Sequence, residues 1–168
     1  MKYLYFDYNS DGYILHGSPN QNLKLINSKK SQYNNKVFGT YSFERALRYT
    51  ASLENGGNGS FGFDGKRIIL NANPGKLLLE NGSIYILSCN GFIPDDHKGK
   101  QHDWIYSTME ECEVIAEIKI INILKTWNNF GIYAADKNDT DELLKQSDPR
   151  DIINKIINKN EVLSKIYF

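Results

Sequence analysis

Few side chains in this sequence are equipped for chemistry, and they fall in a definite order. The first group is Tyr13-Ile14-Leu15-His16-Gly17-Ser18, an aliphatic run that closes on an imidazole followed by glycine. A histidine at the end of a strand can hydrogen-bond or move a proton near neutral pH, and it is just as often a satisfied half-buried residue. Next come Val37-Phe38-Gly39-Thr40 and then Arg45, Ala46 and Tyr49, whose aromatics can stack on a flat ligand or fill a core. The third group, His102-Asp103-Trp104-Ile105-Tyr106, sets an acid beside an indole. Cys89 and Cys112 are too far apart for a CxxC clip, and His16, His97 and His102 form no HExxH or Cys/His cluster, so neither a metal nor a disulfide framework is expected. The glycines of residues 56–65 lack the GxxxxGK[ST] spacing of a phosphate loop and read as a flexible linker.

These groups need elements to hold them. Residues 3–8 and 13–16 are aromatic and β-branched runs joined by Asn9-Ser10-Asp11-Gly12, the pattern of a hairpin. Residues 17–36 are polar, with Leu23, Leu25 and Ile26 as anchors, and read as a long loop lying on the body. A short strand is expected over 36–40. A helix follows, N-capped by Ser42 and running to Leu53, because Phe43, Ala46, Leu47, Tyr49, Thr50 and Leu53 recur at three- and four-residue spacing. Strands are expected over 66–72, 76–80, 83–89, 103–107 and 113–120, the second and third joined by the Asn81-Gly82 turn signal. Beyond them the periodicity predicts a turn or two of helix over 121–127, a strand over 131–134, and helices over 139–146 and 149–158. Asp148-Pro149 is a suitable cap and first-turn pair for the last of these.

The 168 residues fit one domain, and 40% apolar content is enough for a core. Twenty cationic and twenty acidic side chains cancel, so no overall field draws the chain to nucleic acid or an anionic membrane. Asp7 interrupts any leader-like apolar run, and nowhere do about 18 apolar residues follow one another, so a cytoplasmic protein is expected. Ile152, Ile153, Ile156, Ile157, Leu163 and Ile166 form a helical stripe that packs on a sheet or, failing that, covers a protein partner.

In this order, His16-Gly17-Ser18, Val37-Phe38-Gly39-Thr40, the helix carrying Ala46 and Tyr49, and the Asp103-Trp104-Ile105 strand resemble the ADP-ribosyltransferase fold family. The resemblance is to its poly(ADP-ribose) polymerase-like branch with a His-Tyr-Glu triad, and to small bacterial proteins with an HGS strand. It covers about residues 13–120, with residues 127–168 as a mainly helical tail. It implies an α+β fold of split, mostly antiparallel sheets around an NAD cleft, on which His16, Phe38, Tyr49 and Asp103 converge. His16 would bind ribose hydroxyls, the Gly17 backbone would pair with the nicotinamide carboxamide, and Phe38 and Tyr49 would sandwich the ring, with Ser18, Thr40, Arg45 and Trp104 completing the pocket. Lys24, Lys29, Lys30, Lys36 and Arg48 are further candidates near the pyrophosphate. His16, Tyr49 and Asp103 take the catalytic roles. Phe38 stands where the family has Tyr, Ala46 where it has Ser, and Asp103 is one methylene shorter than the family's Glu, which points away from chain elongation.

The resemblance thus implies mono-ADP-ribosyl transfer from NAD to an unidentified protein or nucleic acid, or NAD hydrolysis, without a metal. A non-catalytic protein whose cleft binds NAD, ADP-ribose or a modified nucleic-acid end, as a sensor or as a phage or host defence factor, is the alternative. An RNA 2′-phosphotransferase-like enzyme ranks third, since it would want more Arg and His around its cleft.

Overall fold

The computed structural model describes residues 12–30, 35–51, 60–63, 67–95 and 106–166. The fold is α+β. In chain order it runs β1 (Tyr13–Ser18), β2 (Leu25–Ile26), a 3-10 turn (Ser28–Lys30), β3 (Val37–Gly39), α1 (Phe43–Arg48), β4 (Ser60–Phe63), β5 (Arg67–Asn71) and α2 (Pro74–Leu77). There follow β6 (Gly82–Ser88), β7 (Ile93–Pro94), β8 (Tyr106–Thr108), β9 (Cys112–Ile120), α3 (Ile123–Asn129), β10 (Ile132–Ala135), α4 (Lys137–Lys145) and α5 (Arg150–Ile166). An antiparallel sheet has the order β1-β6-β9-β2, and a smaller antiparallel one the order β3-β8-β7. In the third sheet, β10-β5-β4, β5 pairs parallel with β10 and antiparallel with β4. Leu15 and Thr40 exchange backbone hydrogen bonds of 3.0 and 2.9 Å, joining β1 to β3 so that the first two sheets curl into one another.

The strand period sorts the side chains of β1 and β6 onto two faces. Leu15 and Ile84 lie in a core with Ala46, Leu47, Leu124 and Trp127. Ile14, Tyr85 and Leu87 lie in a second core with Ile26, Val37 and Cys112. Helix α1 sits unusually close to the sheet because two glycines face it. A Cβ on Gly17 would fall 1.9 Å from the Ala46 carbonyl oxygen, and one on Gly82 would fall 2.1 Å from that of Thr50. Ser42 caps the helix, its Oγ accepting from the Arg45 amide at 3.3 Å.

Residues 127–166 are built into the body. Trp127, fully buried, donates from Nε1 to the Leu47 carbonyl at 3.0 Å. Ile152, Ile153, Ile156 and Ile157 bury against Ile69, Tyr133, Ala135 and Leu143, so the sequence stripe does pack on a sheet, whereas Ile166 stays exposed. Asn160 is buried and uses both ends of its amide on one residue of β10. Its Oδ1 accepts from the Ala134 amide and its Nδ2 donates to the Ala134 carbonyl, each at 2.8 Å. Lys159 bonds Asp136 at 2.6 Å and Asp139 at 2.9 Å, tying α5 to the start of α4.

Several sequence expectations need correction. Residues 76–80 are not a strand: Asn73 caps a single helical turn, its Oδ1 accepting from the Gly75 and Lys76 amides with Pro74 at the first position. Gly82 is therefore no hairpin glycine but the contact point for Thr50. Within the glycine-rich stretch, residues 60–63 form β4 on the edge of β5 rather than a linker. Helix α1 ends at Arg48, earlier than the periodicity predicted, where the Thr50 hydroxyl donates to the Leu47 carbonyl at 2.7 Å. Helix α5 runs past 158 to Ile166, and the β5–β10 pair is parallel. The first arm of the expected hairpin, residues 3–8, lies outside the described residues.

Candidate functional site

The site is built where β1 and β3 part. Leu15 points both its amide and its carbonyl at Thr40, away from β6, and in an antiparallel strand the groups two residues on point the same way. Gly17 therefore presents its N–H and C=O on the β3 side of β1. A continued ladder would set Gly17 opposite Phe38, but the Leu15–Thr40 rung is the only bridge between these strands among the described residues. The imidazole of His16 takes the vacated position, with Nδ1 at 2.8 Å from the Phe38 carbonyl oxygen. That oxygen can only accept, so Nδ1 carries the proton in the neutral ring and Nε2 is the acceptor. Burial pulls the His16 pKa below its ordinary value, against the smaller opposing effect of the carbonyl, which keeps the ring neutral at pH 7.

Tyr49 follows the end of α1 beside this edge. Its Cβ is 2.9 Å from where a Gly17 Cβ would lie, and the residue is 46% exposed. A half-exposed tyrosine therefore stands beside a strand edge with paired donor and acceptor, next to a neutral imidazole. Phe38 is half-buried, on the face of its sheet that also carries Ser107. His16, Gly17, Phe38 and Tyr49 are thus gathered at one place.

Ser18 and Thr40 have structural duties nearby. The buried Ser18 hydroxyl accepts from the Asn20 amide at 3.1 Å, and the buried Thr40 hydroxyl accepts from the Ser42 amide at 3.1 Å, shaping the entries to the 20–24 loop and to α1. Arg45 lines a groove with Arg48, Ile68 and Phe130, and interacts electrostatically with Tyr49. His102, Asp103 and Trp104 lie outside the described residues. Among the described residues, no group of three His, Cys, Asp or Glu side chains could hold a metal ion.

Two polar clusters around the site were not singled out from the sequence. Asp95, 3% exposed, accepts from Lys36 Nζ at 2.9 Å and from the Ser107 hydroxyl at 2.5 Å, which ties together the strands of the β3-β8-β7 sheet on the face that carries Phe38. Its three members lie far apart in sequence, and only the strand pairing unites them. Directly across the sheet from His16 is Tyr85, and across from Tyr85 is Glu117. Glu117 accepts from Ser83 at 2.6 Å and from the Asn22 amide at 2.8 Å, and the Tyr85 hydroxyl oxygen lies 3.2 Å from the same carboxylate oxygen. These bonds, the Ser83 one foremost, hold its pKa below the usual carboxylate range. Tyr85 in turn donates to the Asn20 carbonyl at 2.7 Å, so the pair clamps the loop that follows β1.

The chain matches no family model, and no curated protein and no solved structure matches it. None of its described helices is long and apolar enough to cross a membrane.

Proposed function

We propose that the chain is an ADP-ribosyltransferase-like protein that binds NAD at the parting of β1 and β3 and transfers one ADP-ribose unit to a macromolecular acceptor. The observation that supports this reading most is the His16–Phe38 hydrogen bond, with the Gly17 backbone edge turned to the same side and Tyr49 exposed beside it. A carboxamide carries one donor face and one acceptor, the complement of a glycine N–H and C=O in one strand edge. The nicotinamide ring would stack on Tyr49, and a ribose hydroxyl would donate to His16 Nε2.

In the reaction, the bond from ribose C1′ to the nicotinamide nitrogen breaks, and nicotinamide leaves as a neutral molecule with the bonding pair. The acceptor's nucleophilic atom bonds C1′ and releases its proton to a carboxylate, a role assigned to Asp103. The barrier falls through positioning and through negative charge near the cationic sugar. Calorimetry with NAD tests the binding step: Tyr49→Ala should weaken it by about 1 to 2 kcal/mol, the scale of a lost aromatic contact. Label transfer from NAD to a cell extract, or release of nicotinamide, tests the chemistry, and Asp103→Asn should abolish both while NAD still binds. Absence of NAD binding by the unaltered protein would end this reading.

A further inference from the structure

A second concave site lies beside α1, where Arg45 and Arg48, one turn apart, face Ile68 and Ile132 of the β10-β5 pair and Phe130 after α3. Ser42 and Glu44 also line it. We propose that this groove binds a phosphomonoester, its phosphate on the two guanidinium groups and its organic part along Ile68, Ile132 and Phe130.

The reason lies in the unmet demands of Arg48. Its Nε is buried and has no hydrogen-bond partner among the described residues, an arrangement that costs stability unless a ligand supplies an acceptor. A guanidinium cannot shed its proton to escape that cost. Burial and the adjacent Arg45 charge disfavour the cation more than Tyr49 and Glu44 favour it, so an incoming anion would ease both penalties, against repulsion from the Glu44 carboxylate in the lining. Planar forks such as these match phosphate oxygens in pairs. The apolar wall opposite argues for an ester rather than free phosphate, because it offers a bare ion nothing. His16, Gly17 and Tyr49 are not among the residues that line this groove, although Tyr49 lies near enough to interact electrostatically with both arginines.

Phenyl phosphate and inorganic phosphate, titrated calorimetrically into the full chain at low salt, test the proposal. Phenyl phosphate should bind, and inorganic phosphate more weakly. Arg48→Gln should weaken phenyl phosphate about ten- to a hundredfold, the span for a lost charge-assisted hydrogen bond, and Arg48→Lys, which keeps the charge and spares the fold, by an intermediate factor. Excess nicotinamide should not compete. No binding of phenyl phosphate, equal affinity in the unaltered protein and both variants, tighter binding of inorganic phosphate, or displacement by nicotinamide would each overturn it.

Discussion

Replacing Gly17 by alanine adds one methyl group and should cost a large share of the stability. The new Cβ would lie 1.9 Å from the Ala46 carbonyl oxygen and 2.9 Å from the Cβ of Tyr49. Contacts under 3.0 Å are essentially never made by a real Cβ, so α1 must lift by at least 1.1 Å (3.0 − 1.9). Its lower face carries Ala46 and Leu47, both fully buried, and the Trp127 bond to Leu47 hangs from it. Overpacking costs about 1 to 3 kcal/mol, and collision with backbone places this case near the top. For a chain of this size each kcal/mol lowers the melting temperature by about 2 to 4 °C, which gives a fall of roughly 6 to 12 °C. Thermal and urea melts followed by circular dichroism measure it. A melting point within about 2 °C of the unaltered protein would refute the argument from close approach and leave ligand access as the sole reason for a glycine there. Gly82→Ala, pressed 2.1 Å against the Thr50 oxygen in the turn after α1, should behave alike, and the double variant should lose less than the sum because the adjoining helix is already lifted.

Further outcomes follow from other contacts. Since the folded-state pKa of His16 is depressed below 6.5, the unfolded chain takes up the proton first, and stability should be full above pH 6.5 and decline as pH falls through that value towards the folded pKa. His16→Gln, which can still donate to the Phe38 carbonyl, should flatten this part of a urea-midpoint profile, and an unchanged slope would assign it to another group. Asp95→Asn should destabilise by about 1 to 3 kcal/mol in denaturant melts, since Lys36 and Ser107 lose a charged acceptor, and a loss under 0.5 would show the cluster to be incidental. Asn160→Asp should cost about 3 kcal/mol, because a carboxylate can accept from Ala134 but cannot donate to it, while Asn160→Gln tests reach rather than chemistry.

The parts of the fold legible from sequence are those whose signal is local. The Ser42 cap and the isoleucine stripe of α5 each carry their own period, and each is found, whereas the expected alternation of Val114, Ala116, Ile118 and Ile120 is broken by a register shift that puts Val114 in one core and Ile118 and Ile120 in the other. The other failures are of two kinds. Residues 76–80 contain three leucines in succession, a run without period that suits strand and helix alike, and the deciding Asn73-Pro74 cap lies upstream of it. Residues 60–63 read as linker by glycine content, and become a strand because β5 offers an edge to pair with. The extension of α5 to Ile166 depends on Lys159 and Asn160 reaching Asp136, Asp139 and Ala134, partners that no window of sequence contains. At the site, the order of His16, Phe38 and Tyr49 was readable, but the reason for Gly17 was not wholly so: its missing side chain makes room for the Ala46 carbonyl as well as exposing a strand edge.

Because β10 ends its sheet, its outer side would ordinarily offer a row of unpaired amides and carbonyls to any extended segment that came by. Asn160 presents to Ala134 the acceptor and donor that a neighbouring strand would have brought, while α5 packs its isoleucines on the adjoining face of the sheet. The sheet is thereby finished by a side chain, which denies a second copy of the chain a template for strand addition. A lesion at this single amide would cost more than stability, since it would reopen the edge to self-association while much of the body remained folded.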